Sequence, residues 1–450
     1  MRETRSSKGR VFVRVNRWVS VASATAMAVS LSVAAGSSAA AQQGGPCGQS
    51  NGSSGSASMG SSSSLLRDFG MPWLTGPPDG GIPVLTGRTQ AIEMVTGPGS
   101  PNDTIERFSV SGTDLGIMWD AHNGDTLMAF GDTVGDCEAD GADWRSNVLF
   151  RSSDTNLADG MRIDSSPLDA PGHSKQVIHG LLNVPPGSPV EYTVIPTAGI
   201  AVGSDQYVRY MSVRSWDTPG EWTTNYSGLA RSTDNGENWT TEPATARVNA
   251  AGLEIPGIPA ISTGNENFQQ SAFVPGQDGW IYEFGTPSGR FGPARLARVQ
   301  GAQINDLAAY EYWNGSTWVP DITAAAEVIP GNVSELSVQW NNYLNKFVAM
   351  YTDPVKGLVI RQADQLEGPW SGTQTLLNVA MLPGLYGGFM HPKSDGQYLH
   401  FVATTWNRYN VIYMRTDLDG LQMAATDSLD RPAPTDTGDA QLLRIEHPDE

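Results

Sequence analysis

Gly112-Thr113-Asp114-Leu115-Gly116-Ile117-Met118-Trp119-Asp120-Ala121-His122-Asn123-Gly124-Asp125-Thr126-Leu127-Met128-Ala129-Phe130-Gly131-Asp132-Thr133 is the stretch that decides the fold. Apolar runs flank an Asn-Gly pair, the signature of strand, tight turn, strand. The turn folds the two ends together, and each end carries an aspartate among small residues. Two carboxylates at the open end of a hairpin can supply acid–base work on a glycosidic bond. Register decides how they meet. If His122-Asn123-Gly124 is a three-residue loop, a type I turn closed by Gly124, then Ala121 pairs with Asp125. Asp114 then lies opposite Asp132 on one face. A two-residue Asn-Gly turn puts the two side chains on opposite faces. The sequence leaves both open.

Outward from this hairpin the same pattern repeats. An inner strand is followed by an apolar strand ending in small polar residues, then by a third ending in a basic–polar–Asp signature. The first group runs from Asp114 through Leu127–Asp132 to Val148–Asp154. The second runs from Val194 through Tyr210–Arg214 to Gly228–Asp234. The third uses Phe268–Phe273, Trp280–Thr286 and Ala294–Val299 and lacks the closing Asp. The fourth uses Ser334–Trp340, Phe347–Asp353 and Leu358–Asp364; the fifth uses Gly387–His391, Tyr398–Thr404 and Val411–Asp417. Five such groups predict an all-β chain, a five-bladed β-propeller. The fifth group lacks an outer strand, and residues 82–96 are expected to supply it and close the ring. Ser232-Thr233-Asp234-Asn235-Gly236-Glu237-Asn238-Trp239 fits the Asp-box pattern, in which Asp and Gly shape a tight turn and Trp packs beneath it. It is read as a structural brace.

Of the chain's 450 residues, 1–41 have the marks of a secretory signal: six basic residues, a mildly apolar stretch from Val19 to Ala35, and Ala39-Ala40-Ala41 before Gln42. The protein is therefore expected to be secreted or to reside in the cell envelope, with no stable membrane insertion once the signal is cleaved. Residues 42–64 read as a Gly/Ser-rich linker, 65–425 as the propeller, and 426–450 as a polar tail. The leader holds six of 28 basic and one of 47 acidic residues, so the remainder carries a net charge of −24. That excludes nucleic acid and anionic lipid as natural partners. Cys47 and Cys137 can pair in an oxidising compartment or stay as thiols. No Cys/His spacing suggests zinc, and neither metal nor cofactor is expected.

In a propeller the inner strands line a central funnel. Ligand groups come from where those strands begin and where the second strands end. The inner-strand starts carry Asp114, Thr197, Gln269 or Gln270, Glu335, and Tyr386 or His391. The second-strand ends carry Asp132, Arg214 or Trp216, Thr286, Asp353, and Thr405 or Trp406. Asp114, Asp132 and Glu335 are the candidate catalytic residues, because crowded carboxylates hold a proton near neutral pH. Thr197, Gln270, Asp353 and His391 are candidate substrate contacts. Trp216, Trp222 and Trp406 are candidate stacking platforms for sugar. A non-catalytic glycan-binding propeller would keep the aromatic residues without the paired acids. A sialidase would need three funnel arginines, which the inner-strand starts lack.

Gly112–Gly116, Ala129–Thr133, Pro196–Gly199, Asn267–Gln269, Glu335–Asn341 and Leu366–Trp370, in that order, resemble a family of exported actinobacterial proteins. These are the endo-acting D-arabinofuranosidases of glycoside hydrolase family 183, once catalogued as a domain of unknown function. The resemblance covers roughly residues 85–420. It implies a five-bladed propeller that cleaves internal α-D-arabinofuranosyl linkages in cell-wall arabinan (arabinogalactan and lipoarabinomannan). It also implies that the family's catalytic aspartates correspond to Asp114 and Asp132.

Overall fold

The computed structural model describes residues 81–136, 139–184, 187–250, 252, 257, 259–276, 278–406, 408–421 and 440–446. The expected leader, the linker, both cysteines and most of the polar tail lie outside them. Within the described residues the chain forms seven antiparallel sheets, two of them two-stranded; the inner strands of the other five touch in cyclic order, the first meeting the fifth. This is a five-bladed β-propeller.

The first blade pairs Gly112–Asp120, Thr126–Val134 and Val148–Ser152. The second is built of Thr193–Val202, Asp205–Trp216, Trp222–Ser232 and Thr240–Val248. The third begins with Gln270–Pro275, Trp280–Thr286 and Ala294–Gln300 and carries three short outer strands. Ser334–Asn341, Lys346–Asp353, Gly357–Ala363 and Gln374–Leu377 make the fourth. The fifth uses Leu385–Met390, Tyr398–Thr405 and Asn410–Asp417, and its outer strand is Thr89–Met94 from the far end of the chain. Ring closure thus follows the sequence expectation. Ile82–Thr86 does something else: it pairs with Gln441–Glu446, inside the stretch read as a polar tail. The polarity of that segment suits an edge strand with little to bury, since most of its residues are exposed.

The apolar residues of the repeats explain the packing. Second strands are buried on both faces, as between Leu127 and Phe130, because each blade is sandwiched by its neighbours. The Asp-box turn does the bracing expected of it. Asp234 Oδ1 accepts from Asn238 N at 2.9 Å, and Trp239 Nε1 donates to the Gly236 carbonyl at 3.0 Å. Arg151 of the first blade donates to the Asn235 carbonyl at 2.9 Å, so the motif ties the first two blades together on their outer side.

Candidate active site

The hairpin loop is the three-residue one: Ala121 N donates to the Asp125 carbonyl at 3.0 Å. It is not a type I turn, because His122 itself takes a left-handed conformation, with φ of 63°. Asp120 and Asn123 side chains hold the loop through Asx turns to His122 N and Asp125 N. From the loop the strands pair regularly as far as Ile117 and Ala129. The register then slips at Gly116 and slips back before Thr113, which again faces Thr133. Leu115 and Gly116 both have positive φ, 69° and 83°. This double irregularity leaves Asp114 facing the Gly131–Asp132 step. A Cβ on Gly131 would overlap the Asp114 carboxylate, so glycine there is a space requirement.

Asp114 is buried at 9 % exposure. Tyr386, from the start of the fifth inner strand, donates its hydroxyl to Asp114 Oδ2 at 2.9 Å; Oδ1 has no hydrogen-bond partner. Burial pushes its pKa up to about 7. The Glu335 charge adds to the rise, while the Tyr386 hydroxyl and the Arg290 charge oppose it. Asp132 accepts short hydrogen bonding from Thr193 Oγ1, and the Trp144 indole also favours its anion. Even so its pKa is raised well above the ordinary value, first by burial and then by the Asp114 charge. Tyr409, buried and with φ of 50°, sits within the electrostatic reach of both aspartates and of Tyr386.

Glu335 is committed differently. It accepts from Arg290 Nε at 2.8 Å and Nη2 at 2.7 Å, both at Oε1, and from Ser334 Oγ at 2.6 Å. Its backbone is left-handed, φ 45°, at an irregularity that turns the side chain inward. The Arg290 guanidinium lies 4.9 Å from the Tyr386 ring centroid and 5.6 Å from that of Trp222. Trp222 meets Trp216 edge to face at 5.6 Å. Trp406, 37 % exposed, stands 6.2 Å from Tyr386 and 5.7 Å from Tyr409. The structure therefore gathers Asp114, Asp132, Glu335 and Trp406 around one mouth, whereas Trp222, expected as a stacking platform, is buried at 7 % exposure in the apolar core with Trp216 packed against it, because each indole covers the other.

Four sequence candidates find other roles. Gln270 Nε2 donates to the Pro287 and Gly289 carbonyls at 2.8 Å each, which braces the loop that presents Arg290. Thr197 donates to the Arg209 carbonyl at 3.2 Å, inside a bulge. Asp353 Oδ1 closes its own turn by accepting from Val355 N and Lys356 N. His391 is a correction. It follows the end of the strand that Tyr386 begins, so about 16 Å of extended backbone separates them. Its neighbour Lys393 reaches the Gly124 carbonyl, at the closed end of the hairpin. The ring is fully buried, and burial lowers its pKa to about 3. Tyr386, the other candidate at that register position, is the one in the site. Arg290, Tyr409 and Thr193 were not singled out. All come from loops or strand ends where no periodic pattern marks them. Among the described residues, no three His, Cys, Asp or Glu side chains converge to hold a metal ion.

The funnel thus holds a buried pair of carboxylates with raised pKa on the inner and second strands, with a fixed cation and the exposed Trp406 indole alongside, an arrangement that can hold and pass a proton. The chain belongs to the family described as "Domain of unknown function (DUF4185)", whose model matches residues 99–415. It is 30 % identical to "Notoamide biosynthesis cluster protein J" of Aspergillus sp. (strain MF297-2), over 71 % of this chain and 86 % of that protein. It is also 30 % identical to "Notoamide biosynthesis cluster protein J'" of Aspergillus versicolor, over 72 % and 89 %. Among solved structures it is similar to an exo-β-1,3-galactanase from Phanerochaete chrysosporium (TM-score 0.41, 11 % identity, 76 % of this chain and 67 % of that one). It is also similar to an arabinanase of Bacillus subtilis (0.38, 12 %, 67 % and 95 %) and to a Coprinopsis cinerea α-L-arabinofuranosidase catalytic domain (0.39, 11 %, 74 % and 97 %). Similarity at that level concerns the course of the backbone alone.

Proposed function

We propose that this protein is a glycoside hydrolase that cleaves internal α-D-arabinofuranosyl linkages of cell-wall arabinan, outside the cytoplasm. The observation that carries the reading is the Asp114–Asp132 pair, two adjacent carboxylates that both resist ionisation. Such a pair holds one proton between its members near neutral pH. Tyr386 and Arg290 favour the anion at Asp114, and Thr193 and Trp144 favour it at Asp132; the shared proton is assigned to Asp132, whose carboxyl is raised well above its ordinary value while that of Asp114 is raised to about 7. Asp132 then protonates the leaving oxygen, and Asp114 attacks the anomeric carbon or activates water, through an oxocarbenium-like transition state. Glu335 is the positioning partner: it fixes Arg290 and, by its charge, helps keep the Asp114 pKa high. Trp406, 37 % exposed, offers an apolar face for a sugar ring. The substrate class rests on the sequence resemblance of the motifs at 112–116 and 129–133.

The test is incubation of purified arabinogalactan with wild type and with Asp114→Asn. Wild type is expected to release oligosaccharides and the variant none, a loss of at least about 10³-fold. Release by both, or by neither, overturns the assignment.

A further inference from the structure

Beside the catalytic pair, on the side of Asp132, the structure holds a cleft of about 120 Å³ between the first two blades. Gln176, His179, Asn183, Glu191, Tyr192 and Thr193 are among its lining residues. It adjoins the site directly, because the Thr193 hydroxyl on its wall is the one bonded to Asp132. Glu191 precedes Thr193 by two residues, about 6–7 Å along extended backbone, roughly one sugar residue away.

Glu191 is an unusual group to find there. It is 5 % exposed and carries no ion pair. Its Oε2 accepts from Ser212 Oγ at 2.6 Å and from Tyr226 OH at 3.3 Å, while Oε1 receives no hydrogen bond in the structure. Burial raises its pKa. Room for the carboxylate exists only because residue 180 is glycine: a Cβ there would overlap both oxygens. Oε1 takes neither of these bonds and is not among the enclosed polar atoms left without a partner, so it opens to the cleft, where a bound molecule can donate to it. The Trp144 and Tyr192 rings, 6.1 Å apart, stand between Asp132 and the cleft and supply an aromatic flank.

We propose that this cleft is a subsite for the sugar residue on the leaving-group side of the scissile bond, with Glu191 Oε1 accepting a hydrogen bond from a ring hydroxyl and Tyr192 with Trp144 flanking the ring. The assignment of side rests on the reading of Asp132 as the acid. A sugar edge displaces the several waters a cleft of this size admits and donates to the oxygen that the protein leaves without a partner. Chain-length preference is then set here rather than at the carboxylate pair.

Calorimetric titration with D-arabinofuranosyl oligosaccharides of two and eight residues tests this on wild type, Glu191→Gln and Gly180→Ala. The second variant displaces the Glu191 carboxylate without removing it, and thermal unfolding of both variants separates a blocked subsite from a loosened fold. Both variants are expected to lose about tenfold or more in affinity for the octasaccharide, and the disaccharide, whose two rings span the scissile bond, is expected to weaken in the same direction, the loss matching one hydrogen bond to a charged group. Unchanged octasaccharide affinity in both variants, or no octasaccharide binding by wild type, overturns the subsite. Failure of the underlying reading looks different: wild type binds the octasaccharide yet releases no fragments, and the cleft stands as a subsite of a glycan-binding propeller.

Discussion

At the scale of single residues, the behaviour of the site turns on which carboxylate gives up its proton. In the proposed mechanism Asp114, with its pKa pushed to about 7, ionises for the reaction and Asp132 stays protonated. kcat/KM on arabinan is therefore expected to rise with a midpoint near pH 7 and to fall again at a higher pH where Asp132 loses its proton. A flat profile from pH 5 to 9 would count against the shared proton. Stability carries the same signature. The folded state holds the Asp114 proton more tightly than the unfolded chain does, where a carboxyl ionises near pH 4. Its contribution is complete below about pH 4 and is lost as pH rises through about 7. Asp114→Asn removes this titration. Its melting temperature relative to wild type is expected to be higher at pH 8 than at pH 4, as thermal unfolding at the two values would reveal.

At the scale of one element, the hairpin shows what sequence can and cannot convey. Its two strands and the turn between them follow from local chemistry and were legible; the choice of the three-residue loop, with Ala121 paired to Asp125, came only with the structure, because an Asn-Gly pair suits a two-residue turn as well. The double irregularity at Leu115–Gly116 was not, because a bulge leaves only a glycine and an unremarkable leucine as traces. It is nonetheless what aims Asp114 at Gly131. Gly131→Ala should leave the propeller intact while displacing the carboxylate, with kcat down by about 10²-fold and little change in the melting curve. Full activity in that variant would show that the close approach is unimportant. The same limit explains His391. A strand start and a strand end both look polar in sequence, and only the paired register tells which end faces the funnel. Arg290 was invisible for a related reason: its loop has no period, and its partner Glu335 lies 45 residues on.

At the scale of the whole molecule, blades are joined by polar as well as apolar contacts. Arg209 and Arg247 of the second blade both grip Glu283 of the third. The four N–O distances lie between 2.9 and 3.2 Å, and Ser271 Oγ adds a fifth bond at 2.7 Å. All three charged groups are at most 1 % exposed. The two guanidinium groups draw the Glu283 pKa down to about 2, against the opposing effect of burial. Glu283→Gln would strand two buried cations, at a cost of about 3–5 kcal/mol. Denaturant unfolding should record that loss, whereas a change under about 1 kcal/mol would mean that water reaches the cluster. Five repeats, their order and the closing strand could be read from the chain. This cross-blade triad could not, since nothing in 74 residues of intervening sequence links Arg209 to Glu283.

The seam between first and last blades has a temporal meaning. Asp114 receives its hydroxyl donor from a residue 272 positions later, and the Thr113 amide is bonded to the Tyr409 carbonyl. A growing chain with four finished blades holds both aspartates but neither tyrosine that surrounds them. For the proposed hydrolase, turnover would begin only when the circle is complete, and activity would certify assembly.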